Sequence, residues 1–282
     1  MKTRYLVTPQ LSQALAFALL WLAAALVILP VFAIIIYMFI QGFSALTVDM
    51  FRLSGGSLLP AIVGTLCLVV LTALIAAPFG VAAAIYLSEY AGQSSLVRLI
   101  RLAIVNLAGV PSVVHGLFGL ALFVQLFNFG RCLLAGACTL ALLVLPLVIS
   151  TSEEALRQVP HSLRQASWSL GATRWQTIRR VVLPNAFPGI ITALILSIGR
   201  AAGETAPILF TAAFYSLTDP FPRSLFDEIL VLPYQLFVMA TEAPDVTTEQ
   251  KWATAFVLVV LVLAVNLGAI IFRTRLRAAH RR

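Results

Sequence analysis

Arg200 and Glu204 are the residues best placed to do chemistry, because they stand together inside a long apolar stretch of the sequence. A spacing of four residues puts both on one face of a helix, where a guanidinium and a carboxylate can pair. A charge within a membrane span costs on the order of 3 kcal/mol by insertion scales, so the pair requires a polar interior, a water-filled path or a partner. Thr205 adds a hydroxyl group beside them.

Two interpretations of this pair remain open. In the first, it lines a translocation path: Arg200 attracts an anion, and Glu204 neutralises Arg200 when the path is empty. In the second, it is a structural ion pair that fixes one helix against another. Ionisable groups within membranes are scarce and mark functional sites by default, which favours the first interpretation.

A second chemically dense segment covers residues 153–185, which we call the coupling loop. It holds five arginines: Arg157, Arg164, Arg174, Arg179 and Arg180. Apolar residues recur at helical spacing on both sides of Gly171, namely Leu163, Ala166 and Leu170 before it and Trp175, Ile178 and Val182 after it. The pattern predicts two short amphipathic helices joined at a glycine bend and closed by Pro184. Such an element is typical of a docking surface for a partner that drives motion in the membrane.

Enzymatic chemistry has no support elsewhere in the sequence. No pair of carboxylates, no nucleophile with its base and no metal-spaced His/Cys set is present, so we expect no metal and no cofactor. The lysines are Lys2 and Lys251, and neither follows a glycine, which excludes a phosphate-loop ATPase. His115 could relay a proton, but no acidic chain accompanies it, and a hydrogen bond across helices is the favoured interpretation.

The composition indicates where these residues must be held. The chain has 61% hydrophobic and 11% charged residues, whereas a soluble domain has roughly a quarter charged residues. The net charge of +8 comes from basic residues beside apolar stretches, which favours membrane lipid over nucleic acid as a partner. We predict an all-α integral membrane protein with six spans, at about 14–40, 58–88, 102–129, 132–152, 186–218 and 252–272.

Lysine and arginine positions predict the orientation of the spans. With residues 1–13 and the basic tail 273–282 both in the cytoplasm, the inner segments hold fourteen Lys and Arg residues and the outer segments hold four. The outer segment 219–251 carries six acids against two bases, and its apolar patch at 232–237 is expected in the membrane interface. Solvated surface is the usual role of such a segment, and partner binding is the alternative.

The coupling loop resembles a motif of ABC importer permeases. Gln165-Ala166-Ser167, then Gly171 after three residues, then Val181-Val182-Leu183-Pro184 after nine more, is similar to the "EAA" loop of that family. The family pattern is Glu-Ala-Ala, Gly and Ile-x-Leu-Pro at the same spacing. Gln165, Ser167 and Val181 depart from it, and Gln165 removes a charge. The resemblance implies that this loop fits a cleft on an ATP-hydrolysing subunit.

Further stretches resemble the PstA-type phosphate permeases. They are IYLSEY at 85–90, AGVPSVVHGLFGL at 108–120, RAAGETAP at 200–207 and DPF at 219–221. An aromatic residue usually stands in that family where this chain has His115. The similarity covers nearly the whole chain in order.

This resemblance implies a type I ABC importer fold with cytoplasmic coupling helices in the bacterial inner membrane. It also implies a PstC-like sister permease as heterodimer partner, two copies of a PstB-like ATPase, and a periplasmic phosphate-binding protein. Arg200, Glu204 and Thr205 become expected residues of the phosphate path. The expected ATPase-coupling residues are Gln165, Ala166, Ser167, Gly171, Leu183 and Pro184.

Three other functions stay open at this point. An importer for another oxyanion, such as sulfate, molybdate or phosphonate, would share these features. A carrier driven by an ion gradient is disfavoured because no two related halves are visible in the sequence. A purely structural membrane scaffold would need Arg200 only for assembly.

Overall fold

Helices account for nearly all regular structure in the computed structural model, which describes residues 9–51, 58–92, 94–215, 221–243 and 246–279. Across those ranges the only extended pairing is a single bridge between Ala213 and Ile229. The all-helical prediction is therefore confirmed. The helices are α1 (Pro9–Ala45), α2 (Leu59–Ile85), α3 (Ser95–Ala108), α4 (Ser112–Gly119), α5 (Leu133–Arg157), α6 (His161–Ser169), α7 (Arg174–Thr177), α8 (Leu183–Gly203), α9 (Ala206–Thr211), α10 (Leu232–Thr241) and α11 (Thr248–Ala279).

Three of these helices continue into a π-helical turn, in which the backbone hydrogen bonds skip one extra residue. The turns are Tyr86–Tyr90 after α2, Leu120–Leu126 after α4 and Ile178–Val182 after α7. Such turns are rare and occur mostly where a helix is locally deformed for function.

Five helical stretches are long and apolar enough to cross a membrane: Gln13–Ala45, Leu59–Tyr90, Leu133–Arg157, Arg174–Gly203 and Thr248–Arg275. A sixth crossing requires α3 and the helix Ser112–Leu126 together, which meet at an angle of 104°. The predicted third span at 102–129 therefore corresponds to two helices with a sharp bend between them. Proline disfavours the helical conformation of the residue before it and lacks an N–H group, so Pro111 ends α3 and starts a new direction.

The predicted fifth span at 186–218 also differs from the structure. The helix begins upstream at Arg174 and ends at Gly203, and the backbone of Glu204 is extended with ψ of 134°. Pro207 lies in the first turn of the short α9, where a missing N–H group costs nothing. The fifth crossing is therefore longer toward the coupling loop and broken just after the charged pair.

The core lies where α2, α5 and α8 pack against α9 and the segment that follows it. Leu68, Leu140, Val144 and Ile208 are buried there. α2 approaches the backbone of residue 230 so closely at Gly64 that a Cβ atom would collide with the Leu230 carbonyl oxygen. Glycine at this position thus permits the outer segment to enter the core.

That outer segment folds inward at the start of the apolar patch 232–237, where Leu232 packs in the core of the bundle. The Leu232 side chain is fully buried, and its backbone N–H donates to Thr65 Oγ1 at 2.9 Å. The backbone N–H of Leu133 donates to the Asp227 carbonyl oxygen at 2.8 Å, which joins the segment to the start of α5. Buried backbone groups need such partners, and the neighbouring helices supply them.

α1 and α11 form a peripheral pair. Tyr37 meets Trp252 with ring centroids 5.3 Å apart, and Phe39 meets Phe256 at 5.0 Å, both edge to face. The rest of α1 presents an exposed apolar surface, as lipid contact requires. Some predictions fall on residues outside those that the structure describes. These are residues 1–8, residues 219–220 of the DPF stretch and residues 280–282 of the basic tail.

Candidate functional site

The coupling loop folds as two short helices joined at a bend, as predicted. We call residues 161–182 the hairpin: α6, the turn at Gly171, α7 and its π-helical turn. Gly171 has φ of +79°, and its N–H donates to the Trp168 carbonyl oxygen at 2.9 Å. A Cβ atom at Gly171 would have no neighbour within 4 Å, so the positive φ, rather than lack of space, favours glycine.

A capping box starts the second helix of the hairpin. Thr173 Oγ1 accepts from the backbone N–H of Gln176 at 3.3 Å, and Gln176 Oε1 accepts from the backbone N–H of Thr173 at 2.9 Å. These two bonds satisfy helix N–H groups that would otherwise lack partners. The chain therefore reverses direction sharply and re-enters a helix within a few residues of Gly171.

Pro184 does not close the hairpin, contrary to the prediction. The backbone continues helically from Arg174 through the π-helical turn into α8 and on to Gly203. The wider π-helical turn lies just before Pro184, and Leu183 donates its N–H to the Ile178 carbonyl oxygen across it. Neighbouring helices and local π adjustments make proline tolerable in membrane helices. The second arm of the hairpin, from Arg174, and the helix bearing Arg200 are thus one continuous element.

Glu89, which lies in the IYLSEY stretch, anchors the hairpin, a role that its position in the sequence did not reveal. Arg164 Nη2 donates to Glu89 Oε1 at 2.9 Å, and the two side chains are only 6% and 10% exposed. Arg164 also donates to the carbonyl oxygens of Leu156, at 2.8 Å, and Val159. The guanidinium is therefore fully engaged where α6 meets the end of α2.

Three more arginines make polar contacts near the base of the hairpin. Arg174 donates to the Glu89 carbonyl oxygen and lies over the Tyr90 ring, with its Cζ 5.0 Å from the centroid. On the other side, Glu153 accepts from Arg101 and pairs with Arg157, the latter at 2.8 Å. Glu89 thus joins the hairpin to the end of α2, and Glu153 joins the end of α5 to α3.

The residues expected to contact an ATPase lie on and beside the hairpin. Gln165 and Ala166 are exposed, whereas Ser167 Oγ is bonded to Thr177 Oγ1 at 2.9 Å across the two helices. Leu183 is half-buried and Pro184 is exposed. The departure from alanine at Ser167 therefore gains a bond that ties the two arms of the hairpin together.

The apolar residues predicted on the two faces of the hairpin differ in burial. Ile178 and Val182 are buried against the bundle, with exposed fractions of 1% and 0%. Leu163, Leu170 and Trp175 remain exposed on the outside. The second arm therefore packs on the helix bundle at Ile178 and Val182, while the three exposed apolar side chains form the kind of surface that other proteins bind.

Arg200 and Glu204 form the predicted pair, with Arg200 Nε 3.3 Å from Glu204 Oε1. The Arg200 side chain is 41% exposed and the Glu204 side chain 18%. Glu204 lies just past the end of α8, so the pair spans the helix terminus, and Thr205 follows in the break before α9. Gly199, one residue earlier, packs against the Asn266 side chain of α11.

His115 does not make the hydrogen bond across helices that was expected. Its Nδ1 lies 3.3 Å from the Pro111 carbonyl oxygen one turn earlier in the same segment. Nε2 is buried and has no hydrogen-bond partner among the described residues. Nowhere among the residues that the structure describes is a group of three or more His, Cys, Asp or Glu side chains arranged to hold a metal ion.

The comparison that decides the family covers most of the chain. Residues 76–282 match the family described as binding-protein-dependent transport system inner membrane component. The chain belongs to this family. The matched region contains the hairpin, the charged pair, Glu89 and Glu153.

Individual relatives resemble this permease over most of their length. The probable ABC transporter permease protein YqgI of Bacillus subtilis (strain 168) is 32% identical over 278 residues, covering 92% of this chain and 94% of the relative. The phosphate transport system permease protein PstA 1 of Mycobacterium tuberculosis (strain CDC 1551 / Oshkosh) is 37% identical, covering 77% of this chain and 71% of the relative.

Solved structures support the fold of the permease. An inward-facing structure of the MetNI methionine ABC transporter superposes with a TM-score of 0.65 at 17% identity, covering 82% of this chain and 99% of that chain. The predicted type I importer permease fold is confirmed by this likeness.

Proposed function

We propose that this permease is the membrane-spanning subunit of an ATP-driven importer of inorganic phosphate, and that it forms half of the translocation path. The observation that carries the proposal is the continuous helix from the hairpin to the charged pair. Arg174 and Arg200 lie on one rod about 40 Å apart at the rise of an α-helix. Relatives named as phosphate transport permeases support phosphate as the substrate.

The proposed partners follow from the family resemblance and from exposed surface. Two copies of a PstB-like ATPase would serve the complex, one of them binding the exposed hairpin tip with Leu170 and Trp175. A PstC-like sister permease would cover exposed apolar side chains of the helix Ser112–Leu126, such as Val113 and Phe118. A periplasmic phosphate-binding protein would deliver the substrate from the other side.

We place the subunit in the bacterial inner membrane with both termini in the cytoplasm. The distribution of lysine and arginine supports this orientation. The contacts agree with it, because Arg101 and the hairpin arginines meet at one end of the bundle. Arg273, near the C-terminus, donates to Thr192 Oγ1 at 3.0 Å in the half of α8 nearer that end.

Arg200 supplies the chemistry of the path. A desolvated oxyanion needs charge-assisted donors, and the planar guanidinium can offer two parallel N–H groups. In the structure, Glu204 accepts from one donor of Arg200, its Nε. We propose that phosphate replaces the Glu204 carboxylate there, with the Thr205 hydroxyl close by. ATP binding to the partner would close its subunits on the hairpin, and the rod would carry that motion to the pair.

Reconstitution of the permease with its sister subunit, ATPase and binding protein in proteoliposomes tests this function. Uptake of radiolabelled phosphate is expected to require ATP and to resist an excess of sulfate, molybdate or phosphonate. Strong competition by one of those anions would assign the importer to that anion instead. Uptake that persists without the ATPase would identify a gradient-driven carrier and overturn the proposal.

A further inference from the structure

A cavity of about 690 Å³ lies between the hairpin and the turn that joins α2 to α3. Ligand pockets in proteins occupy about 300–1,000 Å³, so its size suits a small ligand. Five arginines line it: Arg98, Arg101, Arg157, Arg164 and Arg174. Both walls contribute, since Arg98 and Arg101 come from α3 and Arg164 and Arg174 from the hairpin.

The carboxylates around these arginines do not balance their charge. Glu89 pairs with Arg164, and Glu153 is shared between Arg101 and Arg157. Five guanidiniums against two carboxylates leave an excess of three positive charges around the cavity. Glu154, the next acid, lines the adjoining pocket and accepts from Gln158 at 3.3 Å instead.

Arg98 is the guanidinium with spare donors. Its side chain is exposed, and no ion pair or side-chain hydrogen bond joins it to the described residues. Arg174, on the opposite wall, binds a backbone carbonyl oxygen and an aromatic ring but no carboxylate. The two faces of the cavity therefore each present a guanidinium whose charge is not cancelled by an acid.

The start of α3 adds to this positive field. Ser94 caps the helix by accepting from the Val97 N–H at 3.3 Å, and both residues line the cavity. The N-terminus of a 14-residue helix carries a partial positive charge and attracts anions. The hydroxyl groups of Ser88 and Ser94 at the wall provide further hydrogen-bonding capacity.

We propose that this cavity binds a phosphate group, with Arg98 as its recruiting residue. Arginine forks match the geometry of phosphate oxygens bidentately, and several of them together outcompete water for a multiply charged anion. The group would come from free inorganic phosphate in the cytosol or from the headgroup of an anionic phospholipid. Either source would link the α2–α3 turn to the hairpin. This site is separate from Arg200 and does not depend on what the translocation path carries.

The test uses the full-length chain in nanodiscs, in an Arg200→Gln background that removes the proposed path site. In the first arm, the lipid is phosphatidylcholine alone and radiolabelled inorganic phosphate is titrated by equilibrium dialysis. In the second arm, phosphatidylglycerol is included and lipids retained by the chain are counted by native mass spectrometry. Arg98→Gln is compared with Arg275→Gln, an equal charge loss at an exposed position of α11.

Saturable binding in one arm that Arg98→Gln weakens about tenfold or more, and that Arg275→Gln leaves unchanged, supports the proposal. The arm that shows it identifies the source as free phosphate or lipid headgroup. Arg98→Lys is expected to retain part of the affinity, because it keeps the charge but loses the fork. No saturable binding in either arm, or equal losses in both glutamine variants, would overturn the proposal. Thermal unfolding of each variant checks that Arg98→Gln leaves the fold intact.

Discussion

Two charged regions of this permease are built in opposite ways. At the base of the hairpin, Glu89 and Arg164 are nearly buried, and Arg164 satisfies its donors with one carboxylate and two carbonyl oxygens. At the end of α8, Arg200 and Glu204 share one longer contact of 3.3 Å, and Arg200 is 41% exposed. The first region is a closed network, whereas the second leaves most of its donors free.

We call the buried Glu89–Arg164 network the joint and the Arg200–Glu204 pair the exchangeable site. The two differ in how much free energy it costs to open them. A buried ion pair is costly to form and more costly to break, because each partner is left uncompensated away from water. The Arg200 pair is held by a single contact and leaves most of the guanidinium donors free, so an anion can bind before Glu204 leaves. The hairpin base is therefore suited to hold a fixed geometry, and the Arg200 pair is suited to release one acceptor for another.

The largest effect is expected from Glu89→Ala, which breaks the joint. It leaves Arg164 buried without its carboxylate, and we expect a loss of about 3–5 kcal/mol in the free energy of unfolding. Phosphate uptake should disappear with the folded complex. Thermal unfolding in detergent and uptake in proteoliposomes measure the two effects.

Glu154→Ala is the matched control for this experiment. The Glu154 side chain is exposed and accepts one bond from Gln158. Its removal should change stability by less than about 0.5 kcal/mol. Equal unfolding temperatures for Glu89→Ala and Glu154→Ala would contradict the idea of a buried joint.

Arg200→Gln should break the exchangeable site and leave the joint intact. We expect uptake to fall about 10–100-fold, the value of one or two charge-assisted hydrogen bonds, with little change in unfolding temperature. Initial uptake rates and thermal unfolding of the same preparation provide the measurement. Arg200→Lys should recover part of the rate. Unchanged uptake by correctly assembled Arg200→Gln would favour the scaffold interpretation.

Gly171→Leu probes the bend that the joint supports. A leucine has room there but must adopt a positive φ, which costs about 1–3 kcal/mol, so the tip should reshape. We expect ATP hydrolysis to continue while uptake per ATP falls several-fold. Gly130→Leu is the matched control, because Gly130 also has positive φ (72°) and open space but lies outside the hairpin. Equal coupling losses in both variants would mean that strain alone, and not the hairpin, is responsible.

The smallest effect is expected from Gln165→Glu. The Gln165 side chain is exposed and makes no contact that shapes the hairpin among the described residues, so a carboxylate of the same length fits. Uptake and recovery of the ATPase with the permease in a pull-down should stay within about twofold of the parent, because exposed substitutions are usually nearly neutral. Loss of ATPase recovery would show that the missing charge matters.

Local patterns in the sequence predicted much of the fold. Apolar runs of sufficient length located the spans, and the glycine between two periodic segments located the bend at Gly171. Proline was the main source of error: one proline breaks a predicted span, and another does not end a helix where an end was predicted. Pro111 bends a predicted straight span by 104°, whereas Pro184 passes inside a helix where a stop was predicted. Whether a proline ends a helix depends on the neighbours that satisfy the freed backbone groups, and these are not adjacent in sequence.

The candidate site was predictable only where its partners are close in the chain. Arg200 and Glu204 are four residues apart, so helical periodicity sufficed to pair them. Glu89 and Arg164 are separated by 75 positions and meet only through the packing of α2 against the hairpin. One signal was available: a glutamate at the end of an apolar run and an arginine at the start of the basic segment both needed partners.

The π-helical turn at Ile178–Val182 has a consequence for how the rod is set. One residue of an α-helix advances about 1.5 Å and rotates about 100° around the axis. The extra residue in the π-helical turn therefore sets the rotation of Arg200 about the helix axis relative to the hairpin. Deleting that residue would keep every side chain of α8 and yet aim all of them at the wrong neighbours. One backbone residue therefore determines how the charged pair is oriented relative to the hairpin.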